Sequence, residues 1–210
     1  MVIRGDTVDT NTIGNYTITY HSVDSSGNNA TQVNRTIVVR NTTPPVITLN
    51  GNDVVYVELG SSYSEQNATT DDGSPIVIRG DTVDTNTIGN YTITYHSVDS
   101  SGNNATQVNR TIVVRNTTPP VITLNGNDVV YVELGSSYSE QNAITDDGSP
   151  IVIRGDTVDT NTIGNYTITY HSVDSSGNNA TQVNRTIVVR DTTPPVITLN
   201  GNDVVYVELG

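Results

Sequence analysis

The residues best suited to chemistry in this chain are aspartates in short turns. Asp71 and Asp72 stand in a Thr-Thr-Asp-Asp-Gly-Ser stretch, and Asp99 opens Asp-Ser-Ser-Gly-Asn. Asp146, Asp147 and Asp174 repeat them 75 residues on. Hard carboxylate oxygens brought together suit calcium, which takes about six to eight of them. The spacing matches no EF-hand loop, and Asp, Asn and Gly are also plain turn formers. A calcium site and a set of solvated turns both stay open. A second class is the Asn-x-Thr acceptor: Asn15, Asn29, Asn34, Asn41 and Asn67 each have Thr two residues on. The later repeats carry the same set, except that Asp191 and Ile144 each remove one. In a secreted protein these would take glycans, although a chain rich in Thr and Asn also produces such triplets by chance. Each repeat has a single histidine (His21, His96, His171) among strand threonines, read as a lone exposed side chain. No Ser/His/Asp set with nucleophile-elbow spacing, paired histidine ligands or phosphate loop appears. The chain is not expected to be an enzyme.

The elements that position these residues follow from alternation. Tyr91, Ile93 and Tyr95 alternate with Thr92, Thr94 and His96, the period of a strand with one buried face. A turn at Asp99–Asn103 and a second run, Thr106–Arg115, complete a hairpin that occurs at Asn15–Arg40, Asn90–Arg115 and Asn165–Arg190. Before it come Val46–Leu49 and Val54–Leu59, read as strands around a turn at Asn50–Asp53, then polar residues 60–74, read as a loop, then an extended run at Ile76–Arg79. Thr-Pro-Pro linkers at 41–45, 116–120 and 191–195 are short and stiff, because paired prolines favour extended backbone. No stretch has helical periodicity. The pattern predicts an all-β chain of small β-sandwich domains. Residues 44–115 and 119–190 read as complete units; 1–40 lacks the first strands, and 194–210 holds only first strands.

The net charge is −13, all nine basic residues are Arg, and there is no Lys. That balance argues against nucleic acid and against anionic membranes, both of which call for a basic face. It fits mutual repulsion in a surface protein, or cation binding. Without Cys there are no disulfides, and without Lys no Lys–Asn isopeptide cross-links. Units near 75 residues bury modest cores, which leaves metal ions, neighbour contacts or glycans as staples. No signal peptide, membrane span or anchor motif is visible, and the chain reads as a piece of something longer.

Taken together, DTTPPVITLNG at Asp191–Gly201, VELGSSYSE at Val132–Glu140, GNYTITYHSVDSSGN at Gly164–Asn178 and RTIVVRD at Arg185–Asp191 resemble the bacterial immunoglobulin-like repeats related to hyalin repeats. The likeness covers essentially the whole chain. It implies tandem immunoglobulin-like β-sandwiches, used as extracellular spacer and stalk modules in surface proteins and adhesins. The chain departs from the family at Asn41 and Asn116, where Asp is usual, as at Asp191. In such a sandwich one pole collects the incoming linker, the loop after the second strand and the last hairpin turn. Asp71, Asp72 and Asp99 would then meet near Asn41, and Asp146, Asp147 and Asp174 near Asn116. Tyr91, just after a glycine turn, is placed either as a tyrosine corner or as an ordinary core tyrosine.

The expected function is a stalk or filament at the cell surface or outside the cell, partnered by neighbouring copies along a fibre. Residues 194–210 hold the strands that 1–40 lacks, so one chain could supply strands to the next, as a filament would; a continuous array cut to this length explains the same offset. The alternative is an adhesin module binding a glycan or protein at the loops of one pole.

Overall fold

A computed structural model describes all 210 residues, as two units, Met1–Asn116 and Thr117–Gly210. The fold is all-β. Unit one opens with an antiparallel sheet of β1 (Val2–Gly5), β2 (Gly14–His21) and β3 (Val33–Val39). It continues with one full repeat: β4 (Ile47–Leu49), β5 (Val54–Glu58), β6 (Ala68–Thr70), β7 (Ile76–Gly80), β8 (Gly89–Ser97) and β9 (Val108–Arg115). Those six strands make two sheets, β4-β6 and β5-β9-β8-β7. β5 runs parallel to β9, and every other pair is antiparallel. Unit two holds a second full repeat of the same pattern: β10 (Ile122–Leu124), β11 (Val129–Glu133), β12 (Ala143–Thr145), β13 (Ile151–Gly155), β14 (Gly164–Ser172) and β15 (Val183–Arg190).

Alternation decides which side chains form the core. In β8, Ile93, Tyr95 and Ser97 point inward, and in β9 Arg110, Ile112 and Val114 do. Ile47, Val57 and Ala68 close over them from β4, β5 and β6. Gly80 ends β7 with φ +100°; a Cβ there would lie 2.3 Å from the Thr92 carbonyl oxygen. The backbone can turn away at that point only because the residue is glycine. The next residue, Asp81, secures the turn by donating its N–H to that carbonyl and accepting the Thr92 N–H at 2.7 Å.

The structure corrects two readings. Residues 60–74 are not all loop. They contain β6, whose Ala68 is buried, and Tyr63 packs against the core. The strand is only three residues long and mostly polar, so alternation has too little length to show it. Residues 194–210 have the sequence of 44–60 but form no strand and are exposed. In a full repeat β4 and β5 are strands because β6 and β9 pair with them.

Candidate functional site at the joint between repeats

The linker 41–45 is held at both ends by aspartates of the repeat that follows. At its start, the Asn41 amide donates from Nδ2 to Asp99 Oδ2 at 2.8 Å. Asn103 donates to the Asn41 carbonyl at 3.2 Å and to Asp99 Oδ2 at 2.8 Å. The other Asp99 oxygen accepts the N–H groups of Ser101 and Asn103. Asp99 is buried at this contact. Hydrogen bonds from the Asn103 side chain and then its backbone hold the carboxyl below the usual carboxylate range. Asn41 uses its oxygen separately, accepting the Thr43 N–H at 3.0 Å, which sets the linker's first turn. At the far end, Val46 donates to Asp71 Oδ1 at 2.8 Å, and the Asp71 N–H returns a bond to the Val46 carbonyl. Pro45 between them is buried.

A third contact ties a linker to the repeat before it. In unit two, Thr192 donates its N–H and hydroxyl to Glu133 at 2.7 and 2.6 Å, and the Thr193 hydroxyl adds a third bond. The hydroxyl of Thr192, then its N–H, draw the Glu133 carboxyl down to about 2. Asp191 accepts the Thr193 N–H as Asn41 accepts that of Thr43, but as a carboxylate it has no amide to donate.

Asp99 thus lies at Asn41 and Asp71 at Val46, while Asp72 turns away to accept the Ser74 N–H and hydroxyl. In the second repeat Asp146 accepts from Val121, Asp147 from Ser149, and Asp174 from Ser176 and Asn178. Nowhere are three or more His, Asp or Glu side chains gathered where they could hold one ion. The carboxylates are spent on N–H and O–H donors of turns and linkers.

Asn15, Asn29, Asn34, Asn41 and Asn67 are all exposed. Asn41 is the special case, because its Nδ2, the atom a glycan would occupy, is the donor to Asp99. Asn67 sits at φ 63°, in the left-handed region. The Tyr91 hydroxyl donates to the Thr87 carbonyl at 3.0 Å, so it is a corner tyrosine; Tyr16 and Tyr166 make the same bond. His96 and His171 are half-buried rather than exposed, on the face where β7 and β13 pair with their strands.

Sequence reasoning missed the most buried polar group. Arg110 is fully buried among apolar side chains. It pairs with Glu65, donates to the carbonyls of Asn52 and Asn50 at 2.9 and 2.6 Å, and reaches the Tyr95 hydroxyl at 3.0 Å. Tyr63 and Tyr95 also donate to Glu65. Burial pushes the Glu65 carboxyl up, but the two tyrosines, the Asn67 N–H and the Arg110 charge outweigh it and leave it lowered. Burial and then Glu65 push Tyr63 up to about 12 and raise Tyr95 as well. Arg185, Glu140, Tyr138 and Tyr170 repeat the arrangement. No buried side-chain polar atom lacks a partner. The signal was there: Arg110 falls on the same alternate positions as Val108, Ile112 and Val114, so its register aimed it inward.

The model of the family described as "Bacterial surface protein, Ig-like domain" matches residues 1–39, 47–114 and 122–189. Hyalin of Strongylocentrotus purpuratus is 34% identical over 218 residues, covering 94% of this chain and 18% of its own. Hyalin of Lytechinus variegatus is 33% identical over 216, covering 94% and 41%. An uncharacterized 81.3 kDa protein of Acholeplasma phage L2 is 30% identical over 227, covering 97% and 30%. The chain therefore spans less than half the length of each of these relatives.

Proposed function

This chain belongs to the bacterial surface Ig-like domain family, and from that premise we propose that it is a structural spacer. Its repeats stand end to end in an extracellular stalk or filament. The observation that carries this reading is the hydrogen-bonded linker: Asn41, Asp99 and Asn103 join one repeat to the next, and Pro45 is buried in the joint. Such a joint spends its polar groups on holding domains in line and leaves no convergent set for chemistry. With about 3.3 Å of rise per strand residue, a run near twelve residues gives each repeat about 4 nm of reach. The joint closes through amide and backbone donors, without a cation. Copies of the chain also assemble head to tail by strand complementation between incomplete units. Electron microscopy of the purified chain with and without calcium chelator tests this. Straight particles indifferent to the chelator support the spacer; particles that bend or shorten on chelation would assign calcium to the joint instead.

The adhesin reading has one observation behind it: a polar groove at the joint, lined by Arg40, Asn41, Thr42, Ser100, Ser101 and Asn103. No aromatic ring lines it, so a sugar has no stacking surface there. A glycan array separates the two: specific binding abolished by Asn103→Ala would favour the adhesin.

A further inference from the structure

The sheet β1-β2-β3 is one layer of a sandwich whose other layer is missing in unit one. Its sequence, residues 2–40, is identical to 77–115, where β5 lies parallel along β9 and β4 closes the core. The covering segment 44–60 recurs letter for letter as 194–210. There its apolar side chains are stranded in solvent: Val207 is 86% exposed against 7% for Val57, and Ile197 90% against 7% for Ile47.

We propose that residues 196–209 of one copy dock as a parallel strand along β3 of a second copy, in the register that β5 keeps with β9. That register pairs Val204 with Thr36, Val205 with Ile37, Tyr206 with Val38, Val207 with Val39 and Glu208 with Arg40, as Val54–Glu58 pair with Thr111–Arg115. Two further bonds fix it in the full repeat, Thr111 N–H to the Asp53 carbonyl and Leu59 N–H to the Arg115 carbonyl. Their counterparts are Thr36 to Asp203 and Leu209 to Arg40. The Tyr206 ring would sit beneath Arg40, as Tyr56 sits 4.3 Å from the Arg115 guanidinium. The contact is heterologous, so it propagates instead of closing on itself.

Docking carries a defect that gives it a signature. The segment brings the carbonyls of Asn200 and Asn202 to Arg35, the counterparts of Asn50 and Asn52 around Arg110. It brings no carboxylate, because the counterparts of Tyr63 and Glu65 lie beyond the segment that docks. It also brings no partner for the β4-like residues 197–199, whose ladder in the full repeat is with β6. Arg35 is therefore buried by docking without the ion pair that satisfies Arg110, and an apolar side chain there docks better.

The inference rests on the spacer reading but fails separately from it. Sedimentation velocity of the 210-residue chain over a concentration series should show growing linear species. A chain lacking 194–210 should stay monomeric and, when mixed in, stop growth. The chain has no cysteine, so Tyr206→Cys with Val38→Cys should give an oxidised intermolecular ladder, and the one-residue shift Val205→Cys with Val38→Cys should not. Arg35→Leu should bring assembly to a roughly tenfold lower concentration. An elongated monomer at every concentration, equal assembly without 194–210, or a ladder only from the shifted pair would overturn the docking and leave the spacer standing. A collapsed, flexible monomer would end both.

Discussion

Arg35 and Arg110 sit at the same place in the same sequence and meet opposite fates. Both stand opposite an isoleucine in an antiparallel hairpin, Ile18 with Arg35 and Ile93 with Arg110, and both lie near the ring of a neighbouring tyrosine. Arg110 is fully buried and paired with Glu65, whereas Arg35 is exposed. Hairpin register is the same in both copies, Gly14 opposite Val39 and Gly89 opposite Val114, so it is set locally. Burial is set from a distance, by strands that precede the hairpin. A repeat here is thus a hairpin that forms its own ladder and a cover that decides whether the ladder's inner face becomes a core.

The comparison breaks most visibly at the ion pair. Glu65→Ala leaves a buried guanidinium without its carboxylate, which costs about 3–5 kcal/mol. Because Glu140 still serves the other full repeat, denaturant unfolding of the chain should separate into two transitions. The matched change at the open hairpin, Arg35→Leu, should move neither transition by more than about 0.5 kcal/mol. Next in size is Tyr95→Phe, which removes one hydroxyl from the cluster and should cost about 1–2 kcal/mol in the same unfolding curves; Tyr20→Phe in the open hairpin should cost nothing measurable. Asn41→Asp should cost about 1 kcal/mol or more at the joint, by replacing the donor to Asp99 with a second carboxylate; Asn41→Ala should cost less. Its readout is faster amide exchange at Ser101 and Asn103, with the cores unchanged.

The pH dependence sharpens the same contrast. Glu65 and Glu140 are lowered in the folded chain, so their contribution is complete above the usual glutamate range, about 4.3. It is lost as pH falls through the folded values. Tyr63 and Tyr138 are raised to about 12, so their contribution is complete below about pH 10 and lost as pH rises toward 12. Unfolding free energy against pH should fall at both extremes. Glu65→Gln should flatten the acid limb of one repeat only.

Much of this was legible in the chain itself. Alternation at Tyr91–Tyr95, turn residues at Asp99–Asn103 and the Pro-Pro linkers led to hairpins and all-β domains, and the glycine before Tyr91 pointed to its corner bond. β6 was not legible, since Ala68–Thr70 is shorter than the period that would reveal it. The Arg110 cluster was half legible. Arg110 stood on inward positions, but its partner Glu65 lies 45 residues earlier in a segment without periodicity, and only the fold brings them together. For the aspartates, sequence correctly drew Asp99 to Asn41 but not their use: each is taken up by N–H and O–H donors that a residue list cannot assign.

The central claim, that repeats are held in line by a hydrogen-bonded joint, has a direct measurement. Nitroxide labels on cysteines placed at Gln32 and Thr69, both exposed, report the distance across the 41–45 linker by pulsed electron resonance. A narrow distribution, unchanged by chelator and broadened by Asn41→Asp, is the expected result. A broad distribution in the unmodified chain, or a narrow one that broadens when calcium is removed, would contradict it.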